Sequence, residues 1–228
     1  MSQIDFSGNP NQRTPCVLVL DASWSMAEVT STGRTRMEEL NLGMSALEES
    51  LRQDDAALVR VQLAIVSVGG PNNDADLMMD WTDASNFESF SIKCGGATPL
   101  AKGIIIALDL VEKGKQNLKA AGISYTRPWI MIISDGAPTD SNAEWAAAVA
   151  KCKAAEAAKK VEIFSIGVEG ADLSVLGQIS AKPPLMLAGM KFEELFVWLS
   201  SSLSAASRSR PGENLQLPST DPWRNVGI

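Results

Sequence analysis

Apolar and polar positions follow two periods along the chain, and the switches between them outline its architecture. Residues 16–20, CVLVL, form an unbroken apolar run bounded by Thr14-Pro15 and Asp21-Ala22-Ser23, the pattern of a strand buried on both faces. Within residues 35–54, Met37, Leu40, Met44, Leu47 and Leu51 recur at helical spacing, which predicts an amphipathic helix. Residues 59–68, VRVQLAIVSV, are rich in β-branched side chains and run into Gly69-Gly70-Pro71-Asn72-Asn73, so a second strand ends in a turn. Residues 77–81 are expected to form a short edge strand.

Thr98-Pro99 ahead of LAKGIIIALDLVEKGKQ predicts a helix start, with threonine as the cap and proline at the first helical position. Residues 129–134, WIMIIS, are the next apolar strand and stop at Asp135-Gly136. Ser141 and Glu144 have capping-box spacing before an alanine-rich helix that extends to about residue 160. A strand at 161–168, a short helix at 172–179 and a last strand at 185–187 follow, and Phe192, Leu195, Phe196, Leu199 and Leu203 mark a closing helix. This alternation predicts an α/β domain with a mainly parallel sheet covered by helices on both faces. The chain divides into an N-terminal arm at 1–13, the domain at 14–206 and a tail at 207–228. The tail is expected to dock, because Leu215, Leu217 and Trp223 would otherwise face solvent.

Composition narrows the chemistry. The chain has 228 residues with 45% hydrophobic, which suits one domain with a sizeable core. Its 20 basic and 27 acidic residues, with no basic run, argue against nucleic acid and anionic membrane as partners. No stretch approaches the roughly 18 apolar residues of a membrane span, and the polar start carries no export signal, so a cytoplasmic location is expected. Three cysteines at irregular spacing predict reduced core thiols rather than a disulfide framework or zinc site. Histidine is absent, which excludes imidazole acid–base catalysis, serine and cysteine catalysis that relies on it, and histidine-ligated metal. The remaining chemistry belongs to oxygen atoms.

The oxygen-bearing residues fall at the predicted strand ends. Asp21, Ser23 and Ser25 alternate just beyond the first strand, and an extended loop would point all three the same way. Asp135 ends the WIMIIS strand, and Thr98 lies in a glycine-rich loop that leads into a helix. Oxygen-only ligands select hard cations, and this small, partly neutral set suits Mg²⁺ with retained waters at about 2.1 Å; Mn²⁺ can substitute, and Ca²⁺ is less suited. Such a site leaves the ion electrophilic toward a Glu or Asp from a protein partner. Thr98 serves equally as a helix cap, Asp140 reads as a helix-start residue, and Trp24 is either folded onto the domain or an exposed anchor for a partner. Two other readings stay open. A phosphotransfer enzyme would use Asp21 as nucleophile, but position 23 is serine where a second acid is wanted, and VEIFSIGVEG ends without a lysine. A metal-independent scaffold would leave the site vestigial. A phosphate-binding loop is excluded, because GGATPLAK lacks Gly-Lys-Ser/Thr.

DASWSM, GGATPL and ISDG resemble, in order, the three segments of the metal-ion-dependent adhesion site (MIDAS) of von Willebrand factor A (VWA) domains, D-x-S-x-S, then T, then D. The resemblance implies a Rossmann-like three-layer fold with strand order 3-2-1-4-5-6 and an antiparallel edge strand, no enzymatic activity, and metal ligation by Asp21, Ser23, Ser25, Thr98 and Asp135. SDGAPTD, LFVWLSSSLSAASRSRPGE and LPSTDPW are similar to the tellurium-resistance-associated VWA proteins of TerY type. That narrower resemblance implies a bacterial stress-response or signalling assembly, with a protein kinase or a metal-dependent protein phosphatase encoded nearby as partner. Trp24 departs from the glycine that many VWA domains carry there.

Overall fold

The computed structural model describes residues 9–189, 191–209 and 216–224. Its strands are β1 Thr14–Ala22, β2 Val61–Gly69, β3 Asp74–Asp83, β4 Trp129–Ser134, β5 Glu162–Gly167 and β6 Leu185–Met186. They form one sheet in the order β3-β2-β1-β4-β5-β6, parallel throughout except for the β2–β3 pair. The helices are α1 Arg36–Arg52, α2 Asp55–Arg60, α3 Leu100–Ala120, α4 Asn142–Ala157, α5 Leu173–Leu176 and α6 Phe192–Arg208.

The period of two in each strand sorts its side chains between two cores. Cys16, Leu18 and Leu20 of β1, with Leu63 and Ile65 of β2 and Met131 and Ile133 of β4, face a layer built on α1 and α6. Val17 and Val19, with Ala64, Val66, Ile130 and Ile132, face α3 and α4 on the other side. Helices on both faces explain why these strands read as continuous apolar runs instead of alternating ones. Leu20 is in register with Ser67 on one side and Ile133 on the other. Asp21 therefore follows this row by one residue and Asp135 by two, at the place where strand order reverses and an α/β sheet opens its crevice.

Three local expectations change. The 35–54 helix stops at Arg52, and Asp54 caps a separate helix, α2, by accepting from the backbone N–H of Ala56 (2.9 Å) and Ala57 (3.0 Å). Val59 and Arg60 are consequently helical and β2 begins at Val61; the β-branched Val59 had made the strand look longer. The edge strand spans Asp74–Asp83, and register shifts opposite Ile65 break the alternation that would have marked its full length. Helix α3 starts at Leu100 with Pro99, not Thr98, in the cap position, and Pro99 has no side-chain acceptor to offer. Asp140 supplies it from a distant loop, its Oδ2 accepting from Ala101 N at 2.9 Å. Ser141, the next residue, opens α4 through the expected capping box with Glu144.

Helix α6 runs two residues past 206, and residues 216–224 pass back over the domain. Trp223 is fully buried, its ring centroid 5.2 Å from that of Trp198, while Trp198 Nε1 donates to the Pro218 carbonyl at 2.9 Å. Ala188 N donates to the Trp223 carbonyl at 2.7 Å, and Leu187 forms an antiparallel bridge with Arg224 just beyond β6. Leu217 packs against the same core. Leu215, residues 210–213 of the TerY-like stretch and residues 1–8 of the arm lie outside the described residues. Arg13, at the end of the arm, is buried and its backbone N–H donates to the Ser124 carbonyl at 2.9 Å. Replacing Trp223 by alanine is expected to cost about 3–5 kcal/mol, as for other buried tryptophans. Urea denaturation should show a lower midpoint with an unchanged slope; a shift below about 0.5 kcal/mol, the range of surface substitutions, would mean that Trp223 is not an integral part of the core.

Candidate functional site

The end of β1 delivers Asp21 into a closed setting, 1% exposed. Its Oδ1 accepts from Ser23 N at 2.9 Å and its Oδ2 accepts from the Ser134 hydroxyl at 2.6 Å. Beyond Ser23 the chain does not stay extended. A single 3₁₀ turn over Trp24–Ala27 folds it back, because Met26 is drawn fully into the core. The two serine hydroxyls nevertheless meet, Oγ to Oγ at 2.9 Å, and Ser25 Oγ donates to Asp135 Oδ2. A continuous chain of hydrogen bonds thus links Asp21, Ser23, Ser25 and Asp135 across residues far apart in sequence.

Asp135 is held by a turn that only its neighbour permits. Gly136 sits at φ 73°, and a β-carbon there would stand 2.8 Å from the Asp172 carbonyl oxygen. Asp135 Oδ1 accepts from Ala137 N at 3.1 Å, and the Asp135 carbonyl accepts from Asp172 N at 2.8 Å. The Ser134 hydroxyl also accepts from Gly136 N at 3.1 Å, so it orients both Asp21 and the turn.

The third segment arrives over Gly69. At φ 92°, a β-carbon on Gly69 would lie 2.5 Å from the Ala97 carbonyl oxygen and 3.0 Å from Ser23 Cα. Without a side chain there, the 95–98 loop reaches Ser23. Trp24 N donates to the Gly96 carbonyl at 3.1 Å, and Asn73 Oδ1 accepts from Ala97 N at 2.5 Å. Thr98 is 5% exposed on this loop, with its backbone bonded to Thr139. All five residues singled out from sequence therefore sit at one end of the sheet, Asp21 at the end of β1 and the others on the loops beyond it, Thr98 through its packed loop and the other four through direct bonds. Asp140 is turned away to α3. Sequence reasoning missed Ser134, Asn73 and Thr139; Ser134 adjoins Asp135 in ISDG, but nothing in its spacing announced a bond to Asp21.

Electrostatics favour a cation here. Burial pushes the Asp21 carboxyl above its ordinary pKa and the neighbouring Asp135 charge adds to that, while hydrogen bonds from Ser134 and Ser23 oppose it. Among the described residues neither carboxylate forms an ion pair, and no three His, Cys, Asp or Glu side chains cluster. Arg36 spends its guanidinium on the Ser25 carbonyl (3.1 Å) and on Glu28 (2.8 Å). Two like charges joined by hydroxyls, with no protein cation between them, form a donor set that fits a hard divalent ion. The cysteines are free, and burial raises the Cys16 thiol and pushes Cys152 up to about 12, so neither is a nucleophile at neutral pH. The Trp24 indole, flanked by Ser23 and Ser25, is 69% exposed.

Comparisons with known proteins agree with this fold. The von Willebrand factor type A domain pattern matches residues 16–196. No curated protein matches the chain. The fold is similar to the SpRpn10 VWA domain, at 13% identity and a TM-score of 0.52, over 76% of this chain and 86% of that one. It is similar to the pilus adhesin SpaC from Lactobacillus rhamnosus GG in its open conformation, at 15% identity and a TM-score of 0.63, over 86% of this chain and 31% of that one. Proximal thread matrix protein 1 from the mussel byssus, in a structure with a zinc-occupied MIDAS motif, is similar at 12% identity with a TM-score of 0.54, over 86% of this chain. The chain spans about half the length of that byssus protein, 49%, and less of the adhesin. A six-stranded sheet of order 3-2-1-4-5-6 and a sequence match over most of its length together place this chain in the von Willebrand factor type A domain family.

Proposed function

We propose that this chain is a metal-ion-dependent protein-interaction module in which Asp21, Ser23, Ser25, Thr98 and Asp135 hold one divalent ion, Mg²⁺ by preference. The VWA fold is a metal-dependent interaction fold whose members are generally not enzymes, and the byssus protein of similar fold holds zinc in its MIDAS motif. The observation that carries the reading is the hydrogen-bonded chain from Asp21 through Ser23 and Ser25 to Asp135, two carboxylates that among the described residues form no ion pair. A bound ion would neutralise their repulsion and keep enough charge to attract a Glu or Asp from a protein partner. Trp24 stands beside that approach on a turn anchored by Met26, so its indole contacts the partner at little entropic cost.

The TerY-type motifs support a cellular setting: a bacterial, cytoplasmic stress-response or tellurium-resistance-type assembly, with a protein kinase or a metal-dependent protein phosphatase as partner. Among the described residues no helix is long and apolar enough to cross a membrane. Phosphotransfer through Asp21 is disfavoured, since no second acid stands at position 23.

Two outcomes test this reading. Asp21→Asn removes a buried charge while keeping a polar group beside Ser134, so the metal-free variant should melt at or above the native temperature. Saturating Mg²⁺ should raise the native melting point, by the equivalent of about 2.7 kcal/mol at a hundredfold excess over Kd, and leave the variant unmoved. An equal rise in both would contradict the assignment of Asp21. In affinity capture from a native extract, the specific partner should be lost on chelation and regained with Mg²⁺, and Trp24→Ala should weaken it by at least about 2 kcal/mol without altering metal affinity. Retention of every partner in chelator would favour the metal-independent scaffold.

A further inference from the structure

We propose that Thr139 and Asp140 are positioning residues, a latch that fixes Thr98 against the site; this rests on reading that site as a metal centre. Thr98 and Thr139 exchange two hydrogen bonds. Thr98 N donates to Thr139 Oγ1 at 3.1 Å, and Thr139 N donates to the Thr98 carbonyl at 2.9 Å. The next residue, Asp140, reaches the first turn of α3, where Ala101 N donates to its Oδ2 at 2.9 Å and Lys102 N to its Oδ1 at 3.4 Å. Two bonds thus tie the loop that carries Asp135 to Thr98, and two more tie it to the first turn of α3 that follows.

The arrangement has a chemical consequence. A helix this long requires an acceptor at its N-terminus, and the residue before it is ordinarily the one to give it. Here Pro99 holds that position and offers none, and Asp140 performs the task from another loop, adding a negative charge where the helix dipole favours one. The Thr98 hydroxyl is released from capping and left for the ion. Because Asp135 and the latch lie on one short loop braced by the Ala137 and Asp172 bonds, Thr98 and Asp135 are set relative to each other as one body. The latch acts on the metal through its ligand, as the outer hydrogen bonds of metal sites do.

The test is calorimetric titration of Mg²⁺ into the full native chain and into Thr139→Val, Thr139→Ser, Asp140→Ala and Ser141→Ala, each with its urea midpoint. Valine is close in shape to threonine but leaves the buried Thr98 N–H without an acceptor, whereas serine restores it. Ser141→Ala removes the cap of α4 from the neighbouring position and serves as the control for simple loss of a helix cap. Thr139→Val and Asp140→Ala are expected to bind Mg²⁺ about 10- to 100-fold more weakly, with Thr139→Ser and Ser141→Ala near native affinity. Cooperative folding of Thr139→Val and Asp140→Ala with native affinity overturns the latch. Equal weakening in Ser141→Ala overturns it too, since general loosening would then suffice. A native chain that binds neither Mg²⁺ nor Mn²⁺ overturns the metal-centre reading itself, a distinct result.

Discussion

Two carboxylates are carried to the same spot because β1 and β4 are neighbours in register, and among the described residues no protein cation is placed between them. Burial of Asp21 carries a desolvation cost, and the neighbouring Asp135 charge adds to it. The surrounding structure answers this constraint. Ser134 and the Ser23 backbone donate to Asp21, Ser25 donates to Asp135, and the turn at Gly136 presents a further N–H to it. Hydrogen bonds spread the negative charge without cancelling it, and this is the basis for proposing that a cation completes the site.

The same residues limit the acid–base chemistry at hand. With no histidine, imidazole proton transfer is excluded. Both Asp21 oxygens are engaged, and burial holds the Cys16 and Cys152 thiols protonated. What the site offers is a rigid rim of hydroxyls and carboxylates with an exposed indole beside it. Ser23 and Ser25 turn inward while Trp24 between them faces solvent, so in the proposed function one short turn would serve both ion ligation and partner contact.

Much of this was legible in the amino-acid sequence, for identifiable reasons. The central strands are buried on both faces, and CVLVL and WIMIIS could belong to little else. The capping box at Ser141–Glu144 is local chemistry and reads directly, whereas the one at Thr35–Glu38 emerges only in the structure. The short helix at Asp55–Arg60 was hidden because Val59 carries a strand signature while tertiary packing and the Asp54 cap decide otherwise. The same limit applies at the site. Asp21, Ser23, Ser25, Thr98 and Asp135 announce themselves by residue type at strand ends, whereas the Ser134–Asp21 bond and the Asp140 cap on α3 join residues with no periodic relation. Thr98 looked like a cap because Thr-Pro commonly is one, and only the folded chain shows that role passing to Asp140.

The most direct measurement is a calorimetric titration of Mg²⁺ and Mn²⁺ into the native protein and into Asp21→Ala. The account predicts a single site that saturates within the millimolar range for the native chain and no binding to the variant. Absence of binding by the native protein at millimolar Mg²⁺ and Mn²⁺ would contradict it.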